Sequence, residues 1–545
     1  MQRRVRGRST ALALALGATL LAGGCSSSSS TVTPATTAAG GSPAGDGVVK
    51  AGGKLTMGVE AEVDGFDPVK NRWDVTGLIY ANTVYDPLTK IGDDGKAHPY
   101  AAQSVEPNAD FTVWTIKLRS GLKFHDGTPA TADDVVADLK AHQVSPLTAA
   151  AITNIDTVSK VDELTASVKM KAPWVPFPVY LAGQVGMLAK ASTLADGSAQ
   201  RTPIGTGPFK FKEWVPGDHF TAEKNPAYWQ AGLPHLDAIT YRPIVEPGTR
   251  SDALKAGNVD LLHTTETHTI KAFQADKSLK LQVQNKGELE ENLIMLNTAK
   301  APFDNPLARL ALAQATDRDT YQKIQADGIP PVVDSPFSKG SFYAADGDIG
   351  YPKFDLTAAK KTVADYEKQA GKKLTFEFGT TNAGRNLEQN QFIAEQWKAA
   401  GIDVKIVQVQ QSEYIQNALL GSYQAYGWRQ FGEADPDADL IWWISQTASP
   451  IGQLALNFSR NKDPLVDAAL IKGRISADPA VRKAAYQDIA KRFAQDLPFI
   501  WTVQTVWAVA SKPTVHGIEG EKLPDGTKAL TPTGGLVQAV YLSVG

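Results

Sequence analysis

Between Leu374 and Val409 the chain reads as strand, loop, helix and strand, and that order limits the kinds of sheet it can build. Leu374 to Phe378 and Val404 to Val409 are short apolar-rich runs of strand length, and a helix from about Leu387 to Ala400 lies between them. Strands joined through a helix favour parallel pairing, so the pattern predicts an α/β protein with mixed or parallel sheet. A second unit has another texture. Trp114, Ile116 and Leu118 alternate with Thr115, Lys117 and Arg119, the period of a half-buried strand. The strand stops at Ser120-Gly121, His125-Asp126-Gly127-Thr128-Pro129 supplies turn residues, and Thr131 with Asp134 three places on predicts a helix from about Ala132. His125 and Asp126 could pass for catalytic residues, but a His-Asp-Gly turn is a structural device whose Asp bonds nearby amides.

At 545 residues the chain is too long for one core and divides into two or more domains. Its N-terminus is an export signal: Arg3, Arg4, Arg6 and Arg8, an apolar run from Ala11 to Ala22, then Gly23-Gly24-Cys25. Cys25, the only cysteine, stands where bacterial lipoproteins carry the residue that is acylated after cleavage, although Ala22 replaces the usual Leu three places before it. The Ser-, Thr-, Ala-, Gly- and Pro-rich run after it reads as a flexible tether that cannot bury a core. Cleavage removes four arginines and no acids, taking the formal charge from −3 to −7. An acidic chain with no basic stripe is not built for nucleic acid. With Cys25 acylated, no disulfide is available.

The order of strand, Leu118 to Pro129 (LRSGLKFHDGTP), acidic pair and helix resembles the signature of the family 5 solute-binding proteins of ABC importers, which take peptides, opines and nickel. Asp64 to Pro68, Gly205-Thr-Gly-Pro-Phe209, Asn225-Pro-Ala-Tyr-Trp229, Leu254 to Asp260 and the segment closing on Asp317-Arg318 resemble further family segments in the expected order. Gly205-Thr-Gly207 is no phosphate loop, since Pro208 follows and a third Gly is missing. The resemblance implies a two-lobed periplasmic-binding-protein-like α/β fold of type II, with crossing strands and an extra domain inserted in the first lobe. The expected layout is a signal peptide at 1–24, a tether at 25–52, lobe I from 53–82, 201–291 and 503–545, the inserted domain at 83–200 and lobe II at 292–502.

Between Ala425 and Trp443 the chain is dense in aromatics and acids, the composition of a ligand-pocket wall. Trp428 and Asp435-Pro436 match the family segment that lines the cleft. In the dipeptide-binding relatives an Asp three residues after that Trp holds the ligand's amine, whereas here that residue is Phe431. Glu433 is an unaligned substitute, and Thr380 falls where the relatives have a carboxylate-binding Arg, with Arg385 in the same loop. Burying an unpaired peptide terminus costs several kcal/mol, which counts against a free dipeptide. Arg429 is a further candidate for an anion and Trp73 for a cleft wall, while Trp442 and Trp443 read equally well as packing. His263, Glu266 and His268 lack the spacing of a zinc helix and read as an exposed polar loop. No nucleophile, phosphate-loop or metal motif occurs, so neither an enzyme nor a cofactor is expected. The resemblance implies a monomeric lipoprotein, anchored on the outer face of the cell membrane, that binds a small molecule or peptide and delivers it to an ABC permease with its ATPases. Opines, oligosaccharides and chelated metals stay open as ligands, and a receptor or envelope-assembly lipoprotein is the rival class.

Overall fold

The strand–helix–strand unit forms Thr375–Thr381, Gly384–Ala399 and Asp403–Val409, and its strands pair in parallel with Thr375 opposite Asp403. The helix starts at Gly384, earlier than the expected Leu387, because Asn386 Nδ2 donates to Thr381 Oγ1 at 2.7 Å and ties the strand end to the first turn. Arg385 therefore stands on a helix and not in a loop. The computed structural model describes residues 50–71, 73–284, 290–337, 339–382, 384–430, 432 and 434–545. All lie within one compact unit, Asp46–Gly545. The expected signal, Cys25, nearly all of the tether, Phe431 and Glu433 lie outside the described residues.

Three sheets carry the fold. The first runs Lys280–Gln284, Trp507–Ser511, Leu261–Thr264, Lys54–Val59, Ala238–Pro243, His219–Lys224 and Phe209–Val215. Lys54–Val59 is parallel to both of its neighbours. The second runs Asp403–Val409, Thr375–Thr381, Ala425–Gln430, Glu291–Leu296 and Phe499–Gln504. The third is antiparallel: Ala102–Pro107, Val113–Leu118, Thr165–Met170 and Ile155–Lys160. Its alternation is as predicted, with Trp114, Ile116 and Leu118 buried and Thr115 and Lys117 exposed.

The last long apolar run, Phe499 to Val509, is divided between sheets. Phe499–Gln504 belongs to the second and Trp507–Ser511 to the first, so only Thr505 and Val506 join them. The chain also crosses from the first sheet to the second between Gln284 and Glu291. Each sheet has its own core: Leu55, Met57, Phe220 and Tyr241 in the first, Leu312, Phe378, Trp397 and Ile500 in the second, Trp114, Leu139 and Val168 in the third.

Two local readings are settled by packing. A Cβ on Gly205 would lie 2.1 Å from the Val84 carbonyl oxygen, and one on Gly207 2.5 Å from the Val84 carbonyl carbon. These glycines let the loop lie against the end of the helix Val75–Val84. His263 is not in an exposed loop: it is fully buried in Leu261–Thr264, whose neighbours on both sides are strands of the first sheet. Among the described residues no helix is long and apolar enough to cross a membrane.

Candidate functional site

In α/β sheets a ligand finds room beyond the carboxyl ends of parallel strands. Glu60 is the residue after Val59, the carboxyl end of the first sheet's central strand, and Arg429 is next to last in Ala425–Gln430 of the second. The two meet, Arg429 Nη2 lying 3.5 Å from Glu60 Oε1. Arg429 Nε makes a shorter contact of 2.6 Å with Glu290, on the crossing segment, and its guanidinium lies 5.2 Å from the Trp507 ring centroid. Trp507 in turn donates its indole N–H to Glu290 Oε2 at 2.5 Å. One arginine thus links both sheets and both crossings.

The floor of this cluster is set by hydrogen bonds. Glu60 N donates to His263 Nε2 at 3.1 Å, so His263 Nδ1 carries the proton and donates to the Gly535 carbonyl at 3.1 Å. Burial pushes the imidazole down to about 4, and it stays neutral. Burial also opposes the charge of Glu60, but Arg429 and Arg250 outweigh it and hold the carboxyl below its ordinary range. Asp74, which caps the helix Val75–Val84 through Gly77 N at 2.9 Å, is pushed up by burial and by the charge of Glu60. Glu290 is pushed up by burial, against the pull of Arg429.

An apolar hollow of about 20 Å³ is walled by Met295, Trp428, Trp442, Leu456 and Phe458, with Gln430 as a polar member. That volume takes about one water. Trp428 stacks on Tyr414 with ring centroids 5.6 Å apart and 16° between planes, and meets Phe458 edge-on at 5.4 Å. A second contact joins the two sides: Arg385 Nε lies 3.8 Å from Glu266, and its Nη2 donates to the Gln325 carbonyl. Asp327 of the same side receives Thr267 Oγ1 at 3.0 Å and pairs with His268 and Lys271 at 2.5 and 3.3 Å.

The family model for bacterial extracellular solute-binding proteins, family 5, middle region, matches residues 96–451. The chain belongs to this family. Among family 5 relatives it is 27% identical over 442 residues to the glutathione-binding protein GsiB of Pectobacterium atrosepticum, covering 77% of this chain and 83% of that one. It is 26% identical over 499 residues to di/tripeptide-binding protein 2 of Pseudomonas aeruginosa, covering 85% and 92%. The solved binding protein AgaA of A. tumefaciens R10, in complex with agropinic acid, superposes with a TM-score of 0.79 at 25% identity, covering 90% of this chain and 99% of that one. The binding protein DppA of Helicobacter pylori, in complex with the peptide STSA, shares the fold at a TM-score of 0.79, covering 91% and 98%. The two-lobed fold and a solute-binding role in an ABC importer follow from this membership.

Of the residues singled out in this family 5 protein, Arg429 meets Glu60 of the first sheet, Arg385 meets Glu266, and Trp428 walls the hollow. Trp73 is buried instead, its indole N–H donating to the Gly65 carbonyl at 3.1 Å. Asp435 is held by Arg482 at 2.5 Å and by the Tyr343 hydroxyl at 3.3 Å, and it caps the turn Pro436–Asp439. Trp443 is core, and Trp442 walls the hollow. Glu60, Glu290 and Trp507 were not anticipated from sequence. For Glu60 the available signal is its place directly after the strand Lys54–Val59.

Proposed function

We propose that this protein captures a peptide or peptide-like solute between two lobes and hands it to the permease of an ABC importer. The observation that carries the reading is that relatives aligned over most of the chain are by name glutathione-binding and di/tripeptide-binding proteins. The protein offers such a solute an aromatic wall at Trp428 and, on Glu60, Arg429 and Glu290, carboxylates and a guanidinium that can meet both charges of a zwitterion. We take lobe I as 53–82, 201–291 and 503–545, the inserted domain as 83–200 and lobe II as 292–502. Sheet membership supports these limits to within a residue or two at the crossings. Trp428, Arg429, Phe431, Glu433, Asp435, Arg385 and Trp73 are our candidates for contact with solute. We read the protein as a binder without a catalytic step, monomeric, and held through acylated Cys25 on the outer face of the membrane. An amino-acid-derived acid is the second reading, favoured by the likeness to the agropinic acid complex.

Mass spectrometry of solute retained through gentle purification tests the reading, followed by calorimetry with glutathione and tri-L-alanine. A bound peptide-like mass, or saturable binding of either probe, is expected. A protein that carries none and binds neither overturns the peptide assignment.

A further inference from the structure

The charges between the first and second sheets have a polarity. Glu60 and Glu266 come from the first sheet's side and Arg429 and Arg385 from the second's, and the contacts that join them are long, 3.5 and 3.8 Å. Each arginine is held more closely elsewhere, Arg429 by Glu290 at 2.6 Å and Arg385 by the Gln325 carbonyl. Glu266 is occupied as a helix cap, accepting from His268 N at 3.4 Å. Glu60 is therefore the loosely held acid. Its Oε1 meets Arg429, its Oε2 receives no hydrogen bond among the described residues, and its side chain keeps 18% exposure between the sheets.

The surroundings of Glu60 point the same way. Around Glu60 stand the carboxylates of Asp74 and Glu290 and the guanidiniums of Arg429 and Arg250. Arg250 gives its N–H groups to the carbonyls of His263, Ile244 and Val245, so it supplies charge from beneath without capping the carboxylate. Among the described residues, neither arginine therefore caps Glu60 Oε2. A hydrogen-bonded cation from the solute would satisfy that oxygen.

We propose that Glu60 is the specificity-determining residue for a cationic group of the solute, an ammonium or guanidinium that docks on Oε2 from the first sheet's side. This supplies an amine partner on the first sheet's side, whereas the dipeptide-binding relatives' Asp would fall at Phe431 of the chain's second half. For its first probe the inference rests on the peptide reading above.

The test measures affinities of the wild type, Glu60→Gln and Glu60→Asp for tri-L-alanine and N-acetyl-tri-L-alanine by calorimetry, with melts to confirm folding. Acetylation should weaken wild-type binding at least tenfold, the penalty should shrink to about twofold in Glu60→Gln, and Glu60→Asp should restore part of it. If acetylation costs nothing, or costs the same in Glu60→Gln, the inference is overturned while the peptide reading stands. If neither peptide binds the wild type, the peptide reading fails, and putrescine, agmatine and L-argininamide replace the peptides. Binding of one of these that falls at least tenfold in Glu60→Gln supports the inference; no binding, or unchanged binding, overturns it.

Discussion

Asp437 is fully buried, and three groups from distant parts of the chain depend on it. Arg474 Nε lies 2.8 Å away, the Trp174 indole N–H donates to it at 2.8 Å, and the Tyr180 hydroxyl donates to its carbonyl at 2.5 Å. Asp437→Asn would leave a buried guanidinium without its counter-charge, at a cost of about 3–5 kcal/mol in chemical denaturation. A loss below about 1 kcal/mol would mean that water reaches Arg474. Trp428 is only half-buried, so Trp428→Ala should lower solute affinity by about 2–4 kcal/mol, as at a binding hot spot. Unchanged affinity in a protein that melts lower would leave the residue as packing between Tyr414 and Phe458. The buried histidines set an acid limit. Burial holds His125, His142 and His263 at about 4, below the roughly 6.5 of an unfolded chain. Between those values the unfolded state binds more protons, so stability is full above about pH 6.5 and declines as pH falls toward 4. His142 has no partner at Nε2, and His142→Gln should flatten the fall in melting temperature over that window. An unchanged slope would assign the acid loss to other groups.

At the scale of elements, Gly207 marks how little room the family-like loop has. Gly207→Ala would drive a methyl into the backbone at Val84, and a loss of about 1–3 kcal/mol is expected from such overpacking. A melt within a degree of wild type would mean that the loop moves freely. Elements of this kind were readable because their determinants are local. The strand at Val113–Leu118 announces itself by alternation, and the helix at Ala132 by Asp134 accepting from Thr131 N at 3.0 Å. The helix at Gly384 began early because the bond from Asn386 to Thr381 is tertiary detail that periodicity does not encode. His263 was misread for a similar reason, since its polarity suggests a surface while its partners are backbone groups brought by distant segments. The site was legible only in part. Trp428 stood out by composition and resemblance, but Glu60 and Arg429 are 369 residues apart, and nothing in either neighbourhood names the other.

At the scale of the whole molecule, the sole cysteine leaves packing to do all the cross-linking. Reductant should leave the melting temperature unchanged, and a reproducible drop would reveal a bridge between two copies. The first sheet draws its strands from both ends of the chain, and Trp507–Ser511 lies between Leu261–Thr264 and Lys280–Gln284. That placement imposes a timetable on synthesis. Lys54–Val59 emerges early, yet its sheet waits for residue 511, about 20 to 90 s later at ordinary elongation rates. The second sheet finishes first, at Gln504, although it begins later. A chain cut short after residue 505 would therefore carry one finished sheet and one open one, with Leu261–Thr264 as an unpaired edge.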